Sequence, residues 1–281
     1  MRRIAEETLG PEKARLAWSR IDIVGDIAVI KEPIHGGLDR GDLERLAKAL
    51  LREVPYIRSV WAASTPVRGE YKLRTFTHLA GEERSWTIYK EHGCRFKVDI
   101  TKVFITPRLN NEHIRVARQV RPGEVVVNMF AGAGLFSIII ACKSKPRKVY
   151  SIDINEHAYK LMIENARLNR VEDIVEPIHG DAARVVEERL QQVADRVLMP
   201  LPDLALQYLP HALKALKPQG GVIHIYLHIH TPKGVNPLEE AWRKAKTRLP
   251  PGSRLLQARR VRPVGPRTLQ VVLDVEVRHS G

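Results

Sequence analysis

The sequence predicts an α/β protein, a doubly wound Rossmann-like sheet preceded by a smaller α+β domain. Three observations predict it. The stretch Val125–Ile140, VVVNMFAGAGLFSIII, is an apolar run ending in Asn128, a turn carrying Gly132 and Gly134, and a second apolar run from Phe136; the segment that follows, VYSIDIN, is β-rich and reaches Asp153. Strand, glycine loop, helix, strand and acid in that order form a nucleoside-binding βαβ unit. Short apolar runs alternate with helical patterns from about residue 105 onward, as the strands and helices of such a sheet do. Before that point, Tyr71–Leu79, Trp86–Lys90 and Arg95–Asp99 alternate apolar and polar residues, the mark of half-buried strands.

Taken in order, residues 1–17 read as a charged N-terminal extension and 18–103 as the small α+β domain. Within that domain Trp18–Ile30 reads as a hairpin turning at Gly25-Asp26. Leu38–Glu53 reads as a helix, with Leu43, Leu46, Ala47, Leu50 and Leu51 at helical spacing, and Tyr56–Ala62 as a strand. Residues 104–281 form the second domain. Asn110–Val120 is a helix stopped by Pro122-Gly123. After the βαβ unit, Asn155–Asn169 is a helix with Ala158, Leu161, Met162, Asn165 and Leu168 on one face. Strands follow at Ile174–Ile178, Asp195–Met199 and Val222–His228, separated by helices at Val185–Val193 and Asp203–Leu216. Leu238–Arg248 is a last helix, and Ser253–Val261 and Leu269–Val277 are two closing strands.

The 281 residues are 44% hydrophobic, enough for a substantial core. No apolar run reaches the roughly eighteen residues of a membrane helix, and the N-terminus shows no secretory signal pattern. Two distant cysteines, Cys94 and Cys142, suit a reduced, cytoplasmic protein without a disulfide framework or structural zinc. Forty-six basic residues against thirty-two acidic ones give a net charge of +14. The excess clusters at Arg68–Arg95, Arg108–Arg121 and Arg254–Arg267, and a cationic surface spread over separated segments suits a polyanionic partner.

The glycine loop discriminates between cofactors. A dinucleotide fingerprint closes with Gly or Ala; here Ser137 stands at the third position, behind Leu135 and Phe136. A mononucleoside such as S-adenosylmethionine needs no pyrophosphate cradle and accepts that bulk. Asp153 is placed to hold two ribose hydroxyls. Gly180-Asp181, after the next strand, supplies an acid that can accept a bond from an adenine amino group.

Longer motifs carry a resemblance. They are RTFTHLAGE at Arg74–Glu82, IYKEHGCRFKVDITKVFITPRLNNEHIR at Ile88–Arg115, NMFAGAGLFSI at Asn128–Ile138, YSIDINEHAYKLMIENARLN at Tyr150–Asn169, GDA at Gly180–Ala182, DRVLMPLP at Asp195–Pro202 and GGVIHIY at Gly220–Tyr226. In these the chain resembles the archaeal and eukaryotic tRNA (guanine-37, N1) methyltransferases and their relatives in wyosine biosynthesis, over nearly all of its length from residue 18. The resemblance implies a class I methyltransferase domain, S-adenosylmethionine, a monomer, and the anticodon stem-loop of tRNA as partner, contacted also by the small preceding domain. The elbow-reading module of many members has no counterpart in this sequence.

By the same resemblance Glu112 is the general base that takes the N1 proton, and Arg74 holds guanine O6, where negative charge develops. Thr106, His113, Phe130, Gly132, Ala133, Gly134, Asp153, Ile154, Asn155, Asp181, Ala182 and Pro200 are assigned to the cofactor. Lys72, Arg108, Arg115 and Pro202 are assigned to the RNA. Three positions depart from the family pattern: Asn128 in place of Asp, His113 in place of Arg, and Pro200 in place of the Asn of an Asn-Leu-Pro motif. The Pro-Leu-Pro form resembles the archaeal branch that also methylates carbon 7 of the tricyclic 4-demethylwyosine precursor. Two other functions fit the sequence. One is transfer of the aminocarboxypropyl arm of the same cofactor, and the other is a non-catalytic tRNA-binding module, against which Glu112, Asp153 and Asp181 stand. His224, His228 and His230 share one strand face, but no acids complete a metal site beside them and none is expected.

Overall fold

The computed structural model describes residues 1–17, 21–32, 37–63 and 75–278. The chain divides into two compact units, residues 1–107 and 108–281.

The first unit begins with helix α1 (Arg2–Ala14), bent where Gly10 takes φ 80° before Pro11. Strands β1 (Asp22–Val24) and β2 (Ile27–Lys31) form the hairpin expected at Gly25-Asp26. Helix α2 (Arg40–Glu53) crosses to β3 (Ser59–Ala63), which runs parallel to β2, and β4 (Phe76–Gly81) returns antiparallel to β3. Strands β5 (Trp86–Glu91) and β6 (Cys94–Asp99) make a separate hairpin. Asp39 caps α2, accepting from the Asp42 backbone N–H at 2.7 Å while Asp42 accepts in return from the Asp39 N–H. Residues 1–17 are not a loose extension. Ile4, Ala5 and Ala14 of α1 are buried in one cluster with Leu43, Leu46 and Leu50 of α2, and Lys13 Nζ donates to the Asp42 carboxylate at 2.7 and 2.9 Å. The few apolar positions in that charged segment are enough to dock it.

The second unit opens with a 3₁₀ turn ending at Leu109 and helix α3 (Asn110–Gln119). Alternation then runs β7 (Val125–Asn128), α4 (Leu135–Ser144), β8 (Lys148–Asp153), α5 (Glu156–Leu168), β9 (Val175–His179), α6 (Ala182–Arg189), β10 (Arg196–Met199), α7 (Ala205–Ala215), β11 (Gly221–His230) and α8 (Pro237–Lys246). It closes with β12 (Arg254–Gly265) and β13 (Thr268–Val277). The seven strands lie in the order β12-β13-β11-β10-β7-β8-β9; β7 to β11 are mutually parallel, β13 is antiparallel to β11, and β12 to β13. The chain winds from β7 outward through β8 and β9, then restarts beside β7 at β10. That reversal opens a crevice at the carboxyl ends of β7 and β10, where this class of sheet binds ligands.

Period-2 alternation sorts β11. Ile223, Ile225, Leu227 and Ile229 are buried with Val271, Leu273 and Val275 of β13 and with Leu209, Ala212, Ala241 and Ala245 of α7 and α8. His224 and Tyr226 point to the opposite face, where Tyr226 meets Phe136 of α4 and Glu112 of α3. In α5 the buried positions are Ala158, Met162, Asn165 and Ala166. Leu168, expected among them, is exposed, because ten residues beyond Ala158 it has rotated off that stripe.

Strand β11 starts at a tight turn. Gly220 has φ +92°, and a Cβ there would lie 2.0 Å from the Val277 carbonyl oxygen. Gly220→Ala is therefore expected to combine left-handed strain with a backbone clash. The expected loss is at least about 2 kcal/mol, a fall of about 4–8 °C in Tm for a unit of this size. Thermal unfolding followed by circular dichroism measures it, and an unchanged Tm contradicts the turn described.

Candidate active site

The glycine loop is held by the acid that faces it. Gly132 N–H donates to Asp153 Oδ2 at 2.7 Å, and Asn155 N–H donates to Oδ1 at 2.9 Å. Burial pushes the Asp153 carboxyl above its ordinary range, against the lowering effect of those two N–H groups. Each oxygen keeps a lone pair, so the carboxylate can still accept from a vicinal pair of hydroxyls. Gly134 N-caps α4 with φ 90°, and a Cβ there would meet Met162 at 3.0 Å and Ile138 at 3.1 Å. The positive φ and the close approach of Met162 of α5 and Ile138 of α4 require glycine at this point. Asn155 caps α5 by accepting from His157 N–H at 3.0 Å, and Asn165 Nδ2 donates to the Ala133 carbonyl at 3.0 Å, fixing the loop from behind. Ile154, beside the acid, is exposed.

Asp181 caps α6, accepting from Arg184 N–H at 3.1 Å, and Tyr208 donates its hydroxyl to Asp181 Oδ2 at 2.5 Å. The Tyr208 ring packs edge-on against Phe130, with centroids 5.2 Å apart. Phe130, Gly132, Asp153 and Asp181 thus line the carboxyl ends of adjacent strands, with Ala133 and Ala182 buried beneath them. This set of donors and acceptors, a half-buried acid for a diol and a second acid one strand further, fits an adenosine-bearing cofactor. Asn128, at the end of β7, is wholly buried; its Nδ2 donates to Ser137 Oγ at 3.1 Å, and Ser151 Oγ bonds Ser137 Oγ at 2.7 Å. An amide suits this neutral, satisfied network and places no charge in it.

Glu112 lies on α3 with 4% exposure. Arg115, one turn on, donates to it through Nε at 3.0 and 3.2 Å, with Nη2 at 2.9 Å, and Tyr226 donates its hydroxyl to Glu112 Oε2 at 3.1 Å. Burial first, and then the Glu112 charge, raises the Tyr226 phenol well above its ordinary pKa, so it stays a donor. His113 packs edge-on against Phe136 at 4.4 Å, and Phe136 meets Tyr226 at 5.9 Å. Glu112 is thereby tied to the start of α4 and its glycine loop.

A buried charged chain stands behind Glu112. Arg115 also binds Asp274 of β13, Nη1 to Oδ2 at 2.5 Å and Nη2 to Oδ1 at 3.2 Å. Gln119 Nε2 donates to the same carboxylate at 3.0 Å, and His224 Nδ1 is 2.7 Å from Asp274 Oδ1. His224 Nε2 lies 2.8 Å from Arg196 Nη1, and Arg196 pairs with Glu124 at 2.8 Å. A guanidinium can only donate, so His224 Nε2 is the acceptor and its single proton sits on Nδ1, bonded to Asp274. Burial raises the Asp274 carboxyl, but the bonds from His224 and Arg115 outweigh it and hold it well below the usual range.

The structure brings together Glu112, His113 and Arg115 in one cluster and Phe130, Gly132, Ala133, Gly134, Asp153, Asn155, Asp181 and Ala182 in another. Arg115, assigned by sequence to RNA, is instead largely buried between two carboxylates. Pro200 and Pro202 follow β10 and are half-buried, and Arg108 is exposed just before α3. Thr106 belongs to the first unit. Lys72 and Arg74 lie outside the described residues. Tyr226, Asp274 and Tyr208 carried no sequence signal, because each joins its partner across more than twenty residues. Among the described residues no group of three His, Cys, Asp or Glu is arranged for a metal. His228 pairs with Asp203 at 2.9 Å and His230 with Thr268 Oγ1 at 3.0 Å. No described helix is long and apolar enough to cross a membrane.

A family model described as the TRM5/TYW2 methyltransferase domain matches residues 87–249, more than half of the chain. The chain belongs to this family. Over 259 residues it is 43% identical to the tRNA 4-demethylwyosine(37)-methyltransferase Taw21 of Saccharolobus solfataricus, covering 92% of this chain and 94% of that protein. It is 39% identical over 215 residues to the tRNA (guanine(37)-N(1))-methyltransferase Trm5b of Pyrococcus abyssi, which is 76% of this chain and 62% of that longer protein. A solved complex of aTrm5 and tRNALeu matches with a TM-score of 0.84 and 32% identity, covering 99% of this chain and 78% of that one. The TRM5/TYW2 assignment accounts for the class I sheet order and for the acids at the ends of β8 and β9.

The buried histidine gives a pH dependence. Burial, only partly opposed by Asp274, lowers the His224 pKa from its ordinary value of 6.5. An unfolded chain therefore takes up this proton at a higher pH than the folded one. The stability contributed by neutral His224 is complete above about pH 6.5 and falls as pH drops from there toward the folded-state pKa, by at most about 1.4 kcal/mol per pH unit. Urea unfolding at pH 7, 6 and 5 is expected to show this slope, and His224→Asn to flatten it. Parallel slopes for the two proteins contradict a buried neutral imidazole.

Proposed function

We propose that this chain is an S-adenosylmethionine-dependent tRNA methyltransferase acting on nucleotide 37, methylating carbon 7 of the 4-demethylwyosine tricycle and N1 of guanine. The observation that carries the reading is Glu112: a buried carboxylate, oriented by Arg115 and Tyr226 and tied through Phe136 to the glycine loop of a TRM5/TYW2 methyltransferase domain. Bound S-adenosylmethionine supplies an electrophilic methyl group. Asp153 would hold its ribose diol and Asp181 its adenine side. Either acceptor, the guanine nitrogen or the tricycle carbon, gives up a proton as the new bond forms, and Glu112 takes it. His113 beside Phe136, the exposed Arg108, and Arg74 and Lys72 are the further residues proposed to meet cofactor or RNA. The first unit is proposed to add contacts to the anticodon stem-loop, and the site to be that of a monomeric, cytoplasmic protein.

Two facts favour the tricycle. The 43% identity to Taw21 extends over 94% of that protein, and Taw21 bears the 4-demethylwyosine name. Pro200 has neither an N–H nor a polar side chain, so it cannot bond a guanine edge as the side-chain amide of Asn does.

Nucleoside mass spectrometry tests the proposal with two tRNAs, one carrying unmodified guanine and one the 4-demethylwyosine precursor at nucleotide 37. Each is expected to gain one methyl from S-adenosylmethionine; no new methyl in either refutes the reading. Glu112→Gln is expected to lower the single-turnover rate on either acceptor by about 100-fold or more, with cofactor affinity within a few-fold. A matching loss of cofactor affinity would remove Glu112 from the role of base.

A further inference from the structure

Strand β12 is the edge of the seven-stranded sheet and carries Arg254, Arg259, Arg260, Arg262 and, just past its end, Arg267. A regular strand would send alternate residues to opposite faces. This one does not, because its pairing with β13 is broken by irregularities between Leu255 and Gln257, between Arg260 and Arg262, and between Pro263 and Gly265. The result is that Arg254, Gln257, Arg259 and Arg262 stand opposite Glu276, Asp274, Val272 and Gln270, while Leu255, Ala258 and Arg260 stand opposite Val275, Leu273 and Val271. Opposed residues on antiparallel neighbours share a face. Leu255 and Ala258 accordingly pack on the apolar cluster with Val275 and Leu273. The other set shares the face of Asp274, which is the face of Arg115 and Glu112. The bulges thus gather three arginines and a glutamine on the Glu112 side of the sheet, a re-aiming that bulges are suited to perform.

Within that strip the three arginines are not equivalent. Arg254 Nε donates to Glu276 at 3.2 Å and Arg262 Nε to Gln270 at 2.7 Å. The Arg259 guanidinium makes no hydrogen bond among the described residues. Its nearest carboxylate is Glu112, with Nε 4.0 Å from Oε1, and its side chain is 41% exposed. Glu112 is already bound by Arg115, which carries that carboxylate's structural pairing. A second, half-exposed cation beside a buried, already paired carboxylate is not needed to hold it.

We infer that Arg259 is a substrate-contacting residue. It binds an RNA phosphate beside the reacting nucleotide, within a phosphate-tracking strip formed by the bulged face of β12. Its five donors suit the oxygens of a phosphate, and its stem already lies at the rim of the base. Binding there fixes the nucleotide next to Glu112. The inference rests on the reading of this chain as a tRNA methyltransferase and adds to it the surface by which the RNA reaches the base.

The test measures the affinity of the full chain for a tRNA transcript carrying guanine at nucleotide 37, with S-adenosylhomocysteine bound, over a series of salt concentrations. Arg259→Gln is expected to raise Kd about fivefold and to reduce the slope of log Kd against log salt by about one, the signature of one lost phosphate contact. Cofactor affinity stays within twofold. Arg259→Lys is expected to restore most of the slope, because a phosphate accepts a point charge. Arg260→Gln, on the opposite face, is expected to leave the slope unchanged. A wild-type slope for Arg259→Gln, no restoration by lysine, or an equal loss in Arg260→Gln overturns the inference. Those outcomes are distinct from failure of the functional reading, which would appear as absence of methyl transfer by the wild-type chain to either tRNA.

Discussion

Arg115 is shared between two carboxylates, and the geometry of the site depends on that sharing. One edge of its guanidinium binds Glu112 on its own helix; the other binds Asp274 on the penultimate position of the sheet. A planar fork with five fixed donors can satisfy both at once, which a lysine cannot. The arrangement welds α3 to β13 and points Glu112 in one direction. Burial by itself would lower the Arg115 pKa, but Asp274 and Glu112 outweigh it and raise it, so the cation persists at any pH the protein meets.

The rest of the chain follows from the need to keep buried charges paired. Asp274 requires donors beyond Arg115 and has them in Gln119 and His224. The other nitrogen of His224 takes its donor from Arg196 of β10, two residues from His224's register partner Leu198. Arg196 in turn is neutralised by Glu124 at the start of β7. The ion chain therefore runs from β13 through β11 and the first residue of β10 to Glu124, just before β7. Such a chain is weak as a source of net stability, but it allows one register of the strands only. A shift of β11 by a single residue would turn His224 to the apolar face and remove the imidazole that bridges Asp274 and Arg196.

Much of this was legible in the sequence. Hydrophobic periodicity gave nearly every strand and helix of the second unit, and the glycine loop with Asp153 announced the βαβ unit, because those signals are local. The docking of α1 was not legible, since only Ile4, Ala5 and Ala14 of a charged segment carry it. The acids facing the glycine loop and capping α6 could be named from motifs, whereas the distant partner of Glu112 could not. Tyr226, and Asp274 behind Arg115, lie more than a hundred residues from it and read as ordinary strand residues. Arg115 is assigned to RNA by the family resemblance, and nothing in the sequence declares that its side chain is held between two carboxylates. The opposite holds for Arg259, whose position beside Glu112 depends on β-bulges that no residue pattern declared.

The central claim, that Arg115 acts by orienting Glu112, is tested most directly by a double-mutant cycle on single-turnover methyl transfer. Arg115→Lys is made in the wild-type chain and again in Glu112→Gln. If Arg115 works through Glu112, the lysine substitution lowers the rate about 30-fold in the first background and less than about threefold in the second, a coupling of more than 1 kcal/mol. An equal factor in both backgrounds would mean that Arg115 acts independently of Glu112, and would contradict the account.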